Sequence, residues 1–246
     1  MRRNKLSIQP MIKSQDFTRS KSLNLIPSRK LQDKLDSVEH EDIDPSIKLL
    51  KLIAINRYAE SNIPIDYWHL KMEKDFSGPQ QFLKVYQDIT SDLKQAYFNG
   101  ASICFAGGHG IGKTFTATST LKKAADKGYT CLYTTISDAI SALTQSDYEE
   151  KHLSRRELCM VDFLTLDELD PRFMSSESSV DLYARTLETI FRTRSQNKLP
   201  TIICTNSPNV VESFTGALKA SIGSLMKGYL TVVPALGEDY RKRIKE

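Results

Sequence analysis

The sequence has no apolar run approaching the roughly 20 residues that a membrane-spanning helix needs. It also lacks a basic leader followed by an apolar core, which is the pattern of a secretory signal peptide. No internal repeat is present. We therefore expect a soluble, cytoplasmic protein with no membrane partner.

Cysteine is scarce, and its spacing does not match that of a metal site. The four cysteines form no C-x-x-C pair and lie in separate apolar segments: Cys104, Cys131, Cys159 and Cys204. This spacing argues against a zinc site or a disulfide framework. We expect four buried thiols in an intracellular protein.

The excess of positive charge is small. A net charge of +4 and a pI near 8.7 do not by themselves indicate a nucleic-acid partner. The distribution is uneven, because residues 1–30 hold eight basic residues and one acid, whereas residues 33–44 hold six acids. This pattern is typical of a mobile, solvated arm, and contact with DNA or an acidic partner is the alternative.

The clearest motif present is Gly107–Thr114, GGHGIGKT, which fits G-x-x-x-x-G-K-[ST]. In this motif, backbone N–H groups cradle phosphates, the lysine reaches the β- and γ-phosphates, and the threonine hydroxyl ligates Mg²⁺. A following helix presents its positive N-terminus to the anion. We predict a bound ATP or GTP with Mg²⁺, against a glycine-rich turn without nucleotide. The predicted contact residues are Gly107, Gly108, His109, Gly110, Ile111, Gly112, Lys113, Thr114 and Phe115.

A second landmark is the segment Leu158–Asp170, LCMVDFLTLDELD, which has the pattern of a buried strand ending in acids. We predict that Asp167 holds Mg²⁺ through water and that Glu168 orients or deprotonates the attacking water. Asp162 is the rival aspartate, but Phe163 follows it and offers no base. An acidic strand end without a metal is the alternative.

A third segment, Pro200–Asn206, indicates another buried strand, and Asn206 at its end is expected to help position the water. The predicted chemistry is nucleotide hydrolysis, in which Lys113 and Mg²⁺ neutralise charge on the phosphates. A kinase is the rival enzyme class, but no acceptor-binding lid is visible.

Strand and helix patterns alternate along the chain. Expected helices span residues 45–62, 79–99, 114–127, 137–145 and 178–194. Expected strands span residues 101–106, 129–134, 158–170, 200–206 and 229–233. This order predicts an α/β fold with a doubly wound, parallel, five-stranded sheet that binds ligands at the strand C-termini.

The predicted chain organisation has three parts. Residues 1–43 form the arm and are a candidate partner-binding segment, residues 44–100 form a helical lead-in, and residues 101–246 form the nucleotide-binding domain with a short C-terminal tail. Trp68, the only tryptophan, either packs in the core or borders an adenine pocket.

The order of GGHGIGKT, FLTLDELD, LPTIICTN and ALGEDYR resembles AAA+ ATPases of the DnaC/IstB group. The resemblance covers about residues 45–246. It rests more on the last two motifs than on GGHGIGKT, a phosphate-binding loop (P-loop) that many unrelated proteins share. It implies an ATP switch with Thr205 and Asn206 at the sensor 1 position and Arg241 as sensor 2 or its functional equivalent. It also implies a bacterial cell or a phage-infected host.

One element of that group is missing here. Its members carry an arginine before the last strand that reaches the γ-phosphate of a neighbouring subunit, but residues 221–227 contain none. The candidate substitutes are Lys227, Arg192 and Arg194. Lysine is a poorer substitute, because its ammonium cannot bind a phosphate with two parallel hydrogen bonds as a guanidinium does.

The function implied by the resemblance is loading of a hexameric replicative helicase onto single-stranded DNA in DNA replication, with self-association in the presence of ATP. Lys151, Arg155 and Arg156 are the candidate DNA contacts, and a solvated charged helix is the alternative. An IstB-like transposition helper and a non-catalytic, ATP-dependent scaffold are the other functions considered.

Overall fold

A computed structural model describes residues 19–24, 26–169, 177–207, 216–237 and 239–240. Its centre is a sheet of five parallel strands in the order β2-β3-β4-β1-β5. The strands are β1 (Ile103–Gly107), β2 (Cys131–Thr135), β3 (Phe163–Asp167), β4 (Thr201–Thr205) and β5 (Thr231–Ala235). The predicted doubly wound α/β fold is confirmed.

Helices cover both faces of this sheet. They are α1 (Ser28–Glu39), α2 (Pro45–Glu60), α3 (Met72–Asp75), α4 (Gln80–Ser91), α5 (Leu93–Asn99), α6 (Lys113–Asp126), α7 (Ile136–Thr144), α8 (Tyr148–Met160), α9 (Glu177–Gln196) and α10 (Gly216–Tyr229). Single 3-10 turns lie at Lys21–Leu23 and Ile65–Tyr67.

Two buried apolar clusters lie on the opposite faces of the sheet. Neighbouring residues of β4 show the division, since Ile203 packs in one cluster with Leu187, and Ile202 packs in the other with Leu121. Successive side chains of a strand point to opposite faces, so a strand covered on both sides reads as a continuous apolar run. The four cysteines are free and buried, as predicted.

The single helix predicted over residues 79–99 is wrong. The helix is interrupted at Asp92, whose backbone leaves the helical region with φ −141° and ψ 79°. The Asp92 carboxylate accepts a hydrogen bond from Gln95 N at 2.9 Å, so Asp92 caps the N-terminus of α5. The side chain of one residue therefore divides an otherwise continuous helical pattern.

The strand predicted over residues 158–170 is also wrong in its first half. Helix α8, capped by Asp147, continues to Met160, and the strand begins only at Phe163. Leu158 is fully buried because it lies on the inner face of α8, not because it belongs to the sheet. A short apolar run does not by itself distinguish a buried helix end from a strand.

The chain before α1 packs on α8. Leu23 is buried in the core, and Arg19 forms an ion pair with Glu157, which is itself buried. The Glu157 carboxylate also accepts a hydrogen bond from Ser20 N at 3.0 Å. Residues 19–23 therefore fasten the N-terminal helices to the core.

Candidate functional site

The P-loop joins the end of β1 to the start of α6. Gly112, with φ 93°, lies in the left-handed region that favours glycine, and a Cβ there would come within 2.6 Å of the Phe76 ring. Gly110, with φ 71°, is also left-handed, and a Cβ there would collide with the Asp239 carboxylate. Glycine at both positions allows the loop to present the N-terminus of α6 to an anion.

Lys113 opens α6 and is 7% exposed. Its ammonium donates to the carbonyl oxygens of Gly107 at 2.9 Å and Gly108 at 2.5 Å. It also donates to Oδ1 of Asn206, just beyond β4, at 2.9 Å. Parallel packing of β1 and β4 therefore brings together two predicted site residues that lie 93 positions apart.

Asp167 ends β3 beside the P-loop and is 4% exposed. Its Oδ2 accepts hydrogen bonds from Thr114 Oγ1 at 2.7 Å and Tyr133 OH at 2.8 Å. Burial, and then the charge of Asp167, raise the pKa of Tyr133, so its hydroxyl stays protonated and donates. Asp167 Oδ1 accepts from Glu168 N at 2.7 Å.

The rival aspartate lies at the other end of the strand. Asp162 Oδ2 accepts hydrogen bonds from Thr130 N at 2.8 Å and Thr130 Oγ1 at 2.9 Å, before β3 begins. Asp162 lies five positions before Asp167, which corresponds to about 16 Å along the strand. Asp162 therefore fixes the start of β3 and does not reach the P-loop.

Glu168 follows Asp167 in an unusual backbone conformation. Its φ of 57° is left-handed, which a residue with a Cβ adopts rarely and at some cost. Burial first, and then the charges of Asp167 and Asp138, raise the pKa of the Glu168 carboxyl. A carboxylate with a raised pKa is a stronger base than an ordinary glutamate.

The donor set beside the P-loop fits Mg²⁺. The Thr114 hydroxyl and the Asp167 carboxylate are hard oxygen donors in direct contact. In the described ranges, no group of three or more His, Cys, Asp and Glu side chains could hold a metal. Mg²⁺ suits such a site, because it takes few protein ligands and keeps waters or binds substrate phosphates.

Aromatic side chains flank the start of α6. The Phe115 ring lies 5.6 Å from that of Phe76 and 6.2 Å from that of Tyr67. The Trp68 ring packs against the apolar core and lies 6.2 Å from that of Tyr58, and its indole donates to Ile63 O at 2.7 Å. Of the two alternatives for Trp68, the structure therefore favours core packing.

The remaining predicted nucleotide contacts differ in exposure. Gly108 and His109 are exposed at the tip of the loop, whereas the Ile111 side chain is fully buried in the core. Tyr240 N donates to Gly110 O at 3.1 Å, so the chain just before Arg241 contacts the loop. Arg241 itself lies outside the described residues.

The candidate DNA contacts Lys151, Arg155 and Arg156 are exposed on α8. Among the candidate substitutes for the missing arginine, Arg194 is wrong, because it is fully buried in its own subunit. Arg192 and Lys227 are exposed, and Arg192 forms an ion pair with Glu188 at 2.7 Å.

Sequence patterns did not identify the roles of Tyr133 or Tyr240. Tyr133 lies inside a strand with no motif around it, and only the register of β2 against β3 places it near Asp167. Tyr240 had a signal, since it lies inside the ALGEDYR motif, but the residue to which that motif assigns a role is Arg241.

The sheet order, the P-loop after β1 and the acids at the end of β3 define a P-loop NTPase fold of the AAA+ type. No helix in the part of the chain that the structure describes is long and apolar enough to cross a membrane.

Comparison with protein-family models finds no match, and comparison with curated proteins finds none either.

Solved structures share this fold. The DnaC helicase loader matches with a TM-score of 0.54 and 18% identity over 70% of this chain and 99% of that chain. DnaI matches with a TM-score of 0.55 and 16% identity, over 72% of this chain and 93% of that chain. The replication initiator DnaA bound to AMPPCP and single-stranded DNA matches with a TM-score of 0.54 and 19% identity, over 70% of this chain and 50% of that chain.

This chain therefore spans about half the length of that DnaA structure. At such identities the likeness establishes the fold alone. At that level it confirms the resemblance to AAA+ ATPases of the DnaC type.

Proposed function

We propose that the protein is an AAA+ ATPase that loads a hexameric replicative helicase onto single-stranded DNA. The nucleotide-binding part rests on one observation. Four polar groups meet at the C-terminal ends of the strands, beside the N-terminus of α6: Lys113 donates to Asn206, and Thr114 donates to Asp167. This arrangement suits the phosphates and Mg²⁺ of a nucleotide.

In this proposal, each group has a separate task. Lys113 would exchange the loop carbonyls for phosphate oxygens, and Thr114 with Asp167 would hold Mg²⁺, which would supply positive charge against the phosphates. Glu168 takes the proton of the attacking water, and Asn206 orients that water. Charge neutralisation and positioning are the main demands of phosphoryl transfer.

The helicase partner is supported by an exposed apolar surface on α2. Three side chains contribute to it, Ile47, Leu49 and Leu50, of which Ile47 and Leu50 share one side of the helix. These side chains are 49%, 58% and 65% exposed, and α2 buries none of its residues fully. Contiguous exposed apolar surface marks interaction sites in soluble proteins. The DnaC protein of the same fold is a helicase loader, which makes a ring helicase the partner we propose for this surface.

Replacing Ile47 and Leu50 together with aspartate is expected to weaken helicase capture by more than tenfold. Burying one such side chain contributes about 1.5–3 kcal/mol, and a charge would have to be buried in its place. The measurement is capture of purified bacterial hexameric helicases on the immobilised protein, with ATP affinity measured in parallel and expected to stay unchanged.

The matched control is Phe98→Asp, since Phe98 is 65% exposed on α5. Deletion of residues 1–43 is a poorer test, because it removes Leu23 from the core and leaves Glu157 buried without Arg19. Unchanged capture by the double variant would exclude α2 as the docking surface. Capture of a transposase in place of a helicase would favour the transposition helper.

Replacing Lys151, Arg155 and Arg156 with alanine is expected to weaken single-stranded DNA binding. Removing one phosphate-binding charge reduces the slope of log affinity against log salt by about 0.7, so the triple variant should reduce it by about 2. Fluorescence anisotropy at several salt concentrations measures this slope.

The control for that experiment replaces three other exposed lysines, Lys84, Lys94 and Lys127. If both triple variants lose the same affinity, the effect is one of net charge only, and α8 is a solvated charged helix.

A further inference from the structure

We propose that Tyr133 is a positioning residue, which fixes the Asp167 carboxylate for Mg²⁺ and is fixed in turn by the end of α2. This inference rests on the proposed function, because it takes Asp167 as a group that holds Mg²⁺. It adds a residue outside every recognised motif of the chain, and it links the nucleotide site to the helix that carries the exposed apolar surface.

The contact with Asp167 is direct and buried. Tyr133 OH and Thr114 Oγ1 donate to the same oxygen, Oδ2, at 2.8 and 2.7 Å. Glu168 N donates to the other oxygen, Oδ1, at 2.7 Å. Tyr133 is 8% exposed and Asp167 is 4% exposed, so bulk water has little access to replace the phenol. Three donors thus hold the carboxylate in one orientation.

Strand register explains why a tyrosine reaches this carboxylate. In the parallel pair β2–β3, Tyr133 is opposite Thr165, two residues before Asp167. Side chains two residues apart on a strand share a face, so Tyr133 and Asp167 lie diagonally across the two strands on one face. With strands about 4.8 Å apart and a rise of about 3.3 Å per residue, such positions lie about 8 Å apart, which is within reach of a long aromatic side chain. A serine or threonine would be too short.

The backbone of Tyr133 is held from the opposite side. Strand β2 is an edge strand, and its outer hydrogen-bonding groups at Tyr133 are taken by the residues that follow α2. Tyr133 N donates to Ser61 O at 2.8 Å, and Asn62 Nδ2 donates to Tyr133 O at 2.9 Å. Asn62 is 4% exposed and has a left-handed φ of 53°, which asparagine tolerates better than most residues.

A continuous series of hydrogen bonds therefore joins α2 to the proposed metal site. It runs from Ser61 and Asn62 through Tyr133 to Asp167, and from Asp167 to Thr114 at the start of α6. Partners that orient a metal-binding carboxylate are usually worth about 10–100-fold in metal affinity.

The test measures binding of the non-hydrolysed nucleotide AMPPCP to the full chain, with Mg²⁺ and with a chelator in its place. The ratio of the two affinities isolates the metal-dependent part. For Tyr133→Phe, which keeps the ring, we expect this ratio to fall by about tenfold, with the affinity in chelator unchanged. For Asn62→Ala, we expect a smaller fall in the same direction.

The matched control is Tyr58→Phe. Tyr58 OH also donates to a carboxylate, that of Asp126, at 3.0 Å, but neither residue contacts the P-loop site in the described structure. The ratio for Tyr58→Phe should equal that of the wild-type chain. Circular dichroism melting of each variant without nucleotide separates loss of fold from loss of positioning.

Each outcome decides between the proposals. An unchanged ratio for Tyr133→Phe, or an equal loss of affinity with and without Mg²⁺, would overturn the positioning role. An unchanged ratio for Asn62→Ala alone would overturn the role of α2. If the wild-type chain binds no AMPPCP, or binds it without any effect of Mg²⁺, the proposed function itself is wrong.

Discussion

Replacing Glu168 with glutamine is expected to lower ATP hydrolysis by about 10²–10⁴-fold, the usual contribution of a general base. ATP binding should persist, because Lys113 and the P-loop are untouched. The raised pKa of Glu168 also sets the pH dependence. Its active form is the carboxylate, so the wild-type rate should fall with decreasing pH, starting at a higher pH than for an ordinary glutamate.

The measurement is phosphate release with and without single-stranded DNA, beside equilibrium binding of ATP. Glu149→Gln is the control, because Glu149 is an exposed glutamate at the start of α8. Unchanged hydrolysis in Glu168→Gln would favour the non-catalytic scaffold. The lack of an arginine in residues 221–227 is the feature that makes this alternative specific.

Replacing Arg194 with alanine is expected to destabilise the fold by about 3–5 kcal/mol, because several buried oxygens would lose their donor at about 1–3 kcal/mol each. Arg194 is fully buried, and its guanidinium donates to Val161 O at 2.8 Å, Pro200 O at 2.7 Å and Thr201 Oγ1 at 2.8 Å. Burial lowers its pKa to about 10, so it stays charged at neutral pH. Without it, buried carbonyls would lose their donor.

Urea denaturation measures this change, and Arg192→Ala is a control two positions away on the same helix. Arg192 is exposed and contacts Glu188 at 2.7 Å, an i,i+4 pair worth about 0.3–0.5 kcal/mol. A loss of similar size in both variants would show that the Arg194 network adds nothing to stability. A large loss in Arg194→Ala alone would agree with a structural arginine that holds the starts of β3 and β4 together.

Patterns of residues that are close together in the sequence predicted most of the fold. The P-loop occupies eight successive residues, and its glycines, lysine and threonine define phosphate chemistry without reference to the rest of the chain. Alternation of apolar strands and amphipathic helices is also local, and it was enough to predict a parallel sheet. The same reasoning placed all four cysteines in the interior.

Local patterns failed where a long-range contact competes with local preference. Leu158 belongs to a helix whose buried face packs in the core, and its apolar neighbours along the chain did not distinguish that helix end from a strand. The break at Asp92 is different, because it is a local N-cap that the apolar periodicity of residues 79–99 concealed. The sequence predicted a helix over residues 45–62 but not its exposure, and only the tertiary structure leaves Leu50 exposed. Periodicity reports that a face is apolar but does not say what covers it.

The sequence by itself determined the fold class and the phosphate-binding loop, because both depend on residues close together along the chain. Only the tertiary structure decided which distant groups meet. Strand register brings Tyr133 to Asp167, parallel packing brings Asn206 to Lys113, and burial turns Arg194 from a candidate trans-acting group into a structural one. These pairings join residues tens of positions apart, where no local spacing rule applies.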